Sequence, residues 1–313
     1  MGELVAATDL RVQPDHHMFG IGDQTAGFGG RAPLPGRGWL GVGSSAVLIG
    51  AAEDLVCPAL RLEYWDGEPP TGPPDHEAQE TTSLLLPTGR LALDEITGGA
   101  VPDVFVLPPG VYALRITCWN RERVRREFEA LCRGGLDWDG PEFEAARAGL
   151  AGQERYLFQF WLQAPTSALL GSTGVLIHPG YDRLGITDSA ARVTLIPPAE
   201  AEPLTVGPSS VLIPMEHQHG RPALRMESWN GPPPAPGPDH PGKQLRLHLP
   251  SGRLDLLHLP AGPAGVGEIS AGMIPRIFDL PPGDYELRLT RRGSEPGEDA
   301  RKERQLIQFW PIR

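Results

Sequence analysis

Lysine is almost missing from this sequence: Lys243 and Lys302 stand against 26 arginines, a ratio read as GC-rich coding bias and not as chemistry. Cysteine is nearly as scarce. Cys57, Cys118 and Cys132 are odd in number and follow no zinc spacing, which argues against a disulfide framework and a structural zinc site. No stretch approaches 18 apolar residues, so no membrane-spanning helix is expected. The N-terminus, Met1-Gly-Glu-Leu-Val-Ala6, lacks the basic run and apolar stretch of a secretory signal. The expectation is a soluble protein of a reducing cytoplasm. No Gly-x-Gly-x-x-Gly follows a strand pattern and no Walker loop occurs; Gly27-Phe-Gly-Gly30 reads as a bare loop. Neither Ser44-Ser45 nor Ser209-Ser210 lies in a Gly-x-Ser-x-Gly elbow, which argues against a serine nucleophile.

What the chain does have is length, turn residues and internal repetition. At 313 residues and 40% hydrophobic it can bury two cores of ordinary size. Its 39 glycines and 35 prolines fit many short strands joined by turns.

Six blocks recur in one order. Pro14–Asp23 matches Pro179–Asp188, and Val42-Gly-Ser-Ser-Ala-Val-Leu-Ile49 matches Val206-Gly-Pro-Ser-Ser-Val-Leu-Ile213. Pro58-Ala-Leu-Arg-Leu-Glu-Tyr-Trp-Asp-Gly67 matches Pro222-Ala-Leu-Arg-Met-Glu-Ser-Trp-Asn-Gly231, and Leu86-Pro-Thr-Gly-Arg-Leu91 matches Leu249-Pro-Ser-Gly-Arg-Leu254. Phe105-Val-Leu-Pro-Pro-Gly-Val-Tyr-Ala-Leu-Arg115 matches Phe278-Asp-Leu-Pro-Pro-Gly-Asp-Tyr-Glu-Leu-Arg288, and Gln159-Phe-Trp161 matches Gln308-Phe-Trp310. The blocks alternate apolar and polar residues between turn signals, as strands do. The chain therefore reads as mainly β: two tandem β-sandwich-like domains, residues 1–165 and 166–313, from an internal duplication. The first copy carries an insertion at about 121–153. Val124, Phe128, Leu131 and Cys132 lie there at helical spacing, and Pro141–Leu150 opens with a proline suited to a first helical turn.

Charge is unevenly shared. Residues 1–165 hold 23 acids and 13 bases, and residues 166–313 hold 16 and 15. The acids concentrate at Glu53, Asp54, Glu63, Asp66, Glu68, Asp75, Glu77 and Glu80. Such a field repels phosphates, which argues against direct nucleic-acid binding, and favours a basic protein partner.

Asp75-His76 and Asp239-His240 recur within the Pro-rich loops, as contact points, as an acid–base dyad or as turn residues. His16 and His17 face Tyr181 and Asp182 in the repeat, so only one copy could use them catalytically. His217 and His219 have a metal-like spacing with no third ligand nearby. Trp65 and Trp229, which end the same strand, read as packing residues. No catalytic residue, metal, cofactor or membrane contact is expected.

In copy one, Asp9-Leu-Arg-Val-Gln-Pro-Asp-His-His-Met-Phe-Gly-Ile21 and Phe105–Trp119 resemble segments of the competence protein J family, small β-rich inhibitors of a DNA-entry nuclease. The similarity spans about a fifth of that copy. Copy two keeps Pro-Pro-Gly-Asp-Tyr but has Arg291-Arg292 where the family has Cys-Trp. The resemblance implies inhibition of a nuclease by an acidic surface and carries over no inhibitory residue. The expected function is thus protein binding through the eight acids with His76, Asp239 and His240. A structural or assembly role is the alternative, and a hydrolase or metalloenzyme the third reading.

Overall fold

The computed structural model describes residues 2–26, 31–36, 38–72, 75–177, 183–191, 204–214, 223–235, 242–259, 273–292 and 304–312. The chain divides into two units, Met1–Thr166 and Ser167–Arg313. Among the described residues no helix is long and apolar enough to cross a membrane.

Unit 1 runs β1 (Leu4–Arg11), β2 (Met18–Asp23), β3 (Leu40–Val42), β4 (Ala46–Gly50), β5 (Ala59–Trp65), β6 (Ala78–Leu86), β7 (Arg90–Asp94), β8 (Ala100–Val106), β9 (Gly110–Trp119), α1 (Arg121–Arg133), α2 (Pro141–Leu150) and β10 (Arg155–Pro165). Its sheets have the orders β1-β5-β10-β9-β6 and β3-β4-β2-β7-β8. Unit 2 runs β11 (Leu169–Leu176), β12 (Arg183–Asp188), β13 (Thr205–Gly207), β14 (Ser210–Pro214), β15 (Ala223–Trp229), β16 (Lys243–Leu249), β17 (Arg253–Leu259), β18 (Met273–Asp279), β19 (Gly283–Arg292) and β20 (Arg304–Pro311). Its sheets have the orders β11-β15-β20-β19-β16 and β13-β14-β12-β17-β18, so each strand of unit 1 has a counterpart ten places later. Both units share one parallel pair, β5 with β10 and β15 with β20, in an otherwise antiparallel pattern.

The period of two decides which side chains enter the core. In β9, Tyr112, Leu114, Ile116 and Cys118 are buried and meet Phe19, Ile21, Val47 and Ile49 of the facing sheet. Unit 2 does the same with Tyr285, Leu287 and Leu289 against Leu184, Ile186, Val211 and Ile213. Each such side chain contributes about 2 kcal/mol by leaving water. Burial keeps the Cys118 thiol inert, with its pKa pushed up to about 12.

The insertion forms the two helices expected from spacing. Asn120, left-handed at φ 63, ends β9 and lets α1 begin at Arg121. Its side-chain amide donates to the Gln153 carbonyl at 2.9 Å and so closes the insertion at its base. Val124 and Phe128 of α1 pack with Phe143 and Leu150 of α2 over Ala52 and Val56, a small core separate from the sandwich.

Three repeated blocks are explained by contacts made twice. In Leu-Pro-Pro-Gly-x-Tyr, the Tyr112 hydroxyl donates back to the Pro108 carbonyl at 2.6 Å, and Tyr285 to Pro281 at 2.7 Å. Asp23, buried at the end of β2, accepts from the Thr88 amide at 2.9 Å and hydroxyl at 2.8 Å. Asp188 likewise accepts from the Ser251 amide at 3.0 Å and hydroxyl at 2.8 Å. The next glycine is required: Gly89 has φ +67 and Gly252 φ +68, and a Cβ at either would overlap the carbonyl of Leu107 or Leu280. Those same loops meet as Leu107 N–H donates to Gly89 O at 2.8 Å and Leu280 N–H to Gly252 O at 2.7 Å.

Gly89→Ala therefore adds strain and a backbone clash, an expected cost of about 2 kcal/mol or more. Hydrogen exchange on the full chain should show faster opening of β7 and β8, with β17 and β18 unchanged.

Candidate functional site

The outer face of the five-stranded sheet holding β5 and β10 is polar, yet part of it is buried. In β5, Glu63 accepts from Arg61 Nε at 2.8 Å, Trp65 Nε1 at 3.0 Å and, across the parallel pair, Gln159 Nε2 at 3.0 Å. Unit 2 repeats this cluster: Glu227 accepts from Arg225 Nε at 2.6 Å, Trp229 Nε1 at 3.0 Å and Gln308 Nε2 at 2.8 Å. The Pro-rich loops lie on this face. Arg115 donates to the Pro70 carbonyl at 2.9 Å and Arg288 to the Pro234 carbonyl at 2.5 Å. Each guanidinium also lies over a tryptophan, Arg115 over Trp161 and Arg288 over Trp310.

These contacts sort the acids named from sequence. Glu63 is buried with its carboxylate engaged, so it is no part of a free acidic surface; it alternates onto the polar face of β5, and that face is covered. Asp66 accepts from the Glu3 amide at 2.6 Å and Glu68 pairs with Arg115 at 3.1 Å, so both anchor the loop while staying exposed. Glu77 takes the Glu122 amide at 3.2 Å on each carboxylate oxygen, where a negative charge suits the N-terminus of α1. Glu80 is exposed on β6. Asp75 lies at the edge of a groove formed with β1, β5, β9 and β10, and His76 next to it is half-buried. Asp239, His240, His217 and His219 lie outside the described residues. Among the described residues no three His, Cys, Asp or Glu side chains could hold a metal ion together.

Glu53 and Asp54 come together with the β1–β2 turn, a grouping not visible in the sequence. His16 and His17 are both left-handed, at φ 50 and 56. The His17 ring lies 3.7 Å from Glu53 and 3.9 Å from Asp54, and the His17 amide donates to the Asp54 carboxylate. Asp15, beside them, accepts from Thr97, whose hydrogen bonds hold its pKa below the usual range. Burial pushes the Glu53 carboxyl up, opposed by His17. Strained non-glycine turns of this kind concentrate at functional positions.

Glu154 sits beneath this region, fully buried. One oxygen accepts from the Ala52 amide at 2.9 Å and the Tyr156 hydroxyl at 2.6 Å; the other has no partner. Burial pushes its pKa up to about 7, against the lowering effect of those two hydrogen bonds and of Arg121 and Arg125. The folded chain holds this proton more tightly than the unfolded chain does. Its stabilising effect is complete below the ordinary carboxylate pKa and is lost as pH rises through about 7. The melting temperature should therefore fall between pH 5 and pH 8 relative to Glu154→Gln, read by differential scanning calorimetry; parallel curves would refute the assignment.

No protein-family model matches this chain, and no curated protein sequence matches it. Two solved structures resemble it. Over 52% of this chain and 98% of its own, the first is ComJ from Bacillus subtilis, inhibitor of the DNA degrading activity of NucA, at 11% identity and TM-score 0.33. Over 52% of this chain and 99% of its own, the second is the Crocagin biosynthetic gene J protein, at 16% identity and TM-score 0.31.

Proposed function

We propose that the chain is a binding protein that engages a basic protein partner through the helix-bearing end of unit 1. The carrying observation is a pair of exposed apolar side chains set among acids. Leu55 is 42% exposed between Asp54 and Val56, and Trp138 is 53% exposed between Asp137 and Asp139. The two belong to one packed assembly. Trp138 stacks on Phe143 at 5.0 Å, Phe143 packs with Val56, and Arg147 donates to the Leu55 carbonyl at 3.0 Å. Apolar anchors inside a charged rim are the usual anatomy of a protein interface.

The rim is anionic. Among the described residues Asp15, Glu53 and Asp54 are met by Thr97 and by the two histidines of the turn, and by no arginine or lysine. Glu77 and Glu80 extend the negative charge along the start of β6. A nuclease is the partner class implied by the resemblance to the competence protein J family, and a DNA-binding cleft has the cationic surface required. Inhibition then follows from occupying that cleft, with no chemistry on this chain.

A pull-down from the native host should recover a cationic protein near stoichiometry, released by raised salt. The double variant Glu53→Lys with Trp138→Ala should retain it at least about tenfold less. Recovery of no stoichiometric partner, or equal retention by the variant, would sink the proposal. If the partner degrades DNA, adding the wild-type chain should suppress that activity.

A further inference from the structure

The groove at the edge of which Asp75 lies is a second feature of unit 1, and it differs chemically from the acidic rim. It encloses about 730 Å³, within the range of small-molecule sites. Asp9 and Arg11 of β1, Ala59 and Arg61 of β5, Trp119 of β9, and Arg155 and Leu157 of β10 line it with Asp75. Arg61 is already paired with Asp9 at 2.9 Å and Glu63 at 2.8 Å.

Arg11 and Arg155 are held differently. The Arg155 guanidinium lies 5.5 Å from the Trp119 ring centroid, a contact that fixes the cation without using its N–H donors. The Arg11 guanidinium sits over Gly152, where a Cβ would come within 2.8 Å of both terminal nitrogens. Among the described residues neither arginine has a carboxylate partner. Two positioned guanidiniums with unspent donors form an anion receptor.

The fold does not demand this arrangement. Strand register gives the counterparts in unit 2: Leu176 stands for Arg11, Gly174 for Asp9 and Arg292 for Trp119. Arg61 and Arg155 keep arginine at Arg225 and Arg304, so Asp9, Arg11 and Trp119 are what unit 1 adds, and the scaffold is built without those three in unit 2.

We propose that this groove binds an organic monoanion, a carboxylate carried on a flat apolar body. The charge follows from the lining. Arg61 is held by Asp9 and Glu63, so Arg11 and Arg155 against Asp75 are the charges left facing the groove, a balance of one positive charge that suits a monoanion. The carboxylate pairs with Arg11 and Arg155, and the apolar body lies along Trp119, Leu157 and Ala59. This site is independent of the protein interface proposed above.

Isothermal titration of the full chain with N-acetyl-L-tryptophan, its neutral amide and inorganic phosphate tests the assignment. The carboxylate should bind, weaken with added salt, and lose affinity at least about tenfold in Arg11→Gln and in Trp119→Leu. Arg133→Gln, at the exposed end of α1, should bind as the wild type does. Tighter binding of phosphate, equal binding of the neutral amide, no heat from any of the three, or full affinity in Arg11→Gln would each overturn it. Arg11 is exposed, so its variant reports on the groove without a folding cost.

Discussion

A carboxylate buried on the outside of a sheet is the constraint around which each unit is arranged. Glu63 and Glu227 each stand on the polar side of a strand, where water would normally satisfy them. Taking an ionised carboxylate out of water costs several kcal/mol unless its lone pairs are met. Arginine, indole and glutamine donors meet them in both units. The glutamine comes from the neighbouring parallel strand, so the cluster also fixes the register of the one pair that no hairpin can set. The Pro-rich loop completes the enclosure. Consecutive prolines carry carbonyls without N–H groups, so the loop presents acceptors alone. The Arg115 and Arg288 guanidiniums supply the donors and stack on the tryptophans beneath. Buried acid, loop position and tryptophan packing are thus one interdependent unit.

That dependence explains what the sequence made legible. The repeated blocks turn out to be partners of one another. The aspartate closing the first block holds the Thr88 or Ser251 turn of the fourth, and the Arg-x-Glu-x-Trp of the third takes its fourth member from Gln-Phe-Trp. Duplication exposed them because a contact that must be kept twice leaves its residues in both copies. The two helices were legible for a different reason, a change of apolar period from two to about four over Val124, Phe128 and Leu131.

The fate of individual acids was not legible. Alternation places Glu63 on the polar face of β5, but nothing local says that a loop returns to cover that face. Glu77 reads as surface charge until α1 is seen to start against it. The approach of His17 to Glu53 and Asp54 joins segments some 36 residues apart through a left-handed turn at two successive histidines, a contact that no local pattern marks. The groove was hidden for the same reason: Arg11, Trp119 and Arg155 are distant in sequence and become neighbours only through strand register.

Register also shows that the features peculiar to unit 1 share one end of its sandwich. Arg11 closes β1, Ala59 opens β5, Trp119 closes β9 and Arg155 opens β10, and these four are paired across the sheet. The segments leaving that edge are the His16-His17 turn, the loop bearing Glu53 and Asp54, and the helical insertion. Gln13 links the first two through the Asp54 carbonyl, and Arg147 links the helices to the second through Leu55. The shared clusters of Asp23, Tyr112 and Glu63 hold the strands elsewhere, so none of the contacts made twice lies at this end. Residues there diverged between the copies: the unit that gained the helices also has Asp9, Arg11 and Trp119 in its groove and the acids grouped at the histidine turn. An end outside the contacts that both copies keep is where a duplicated sandwich can acquire a specific surface.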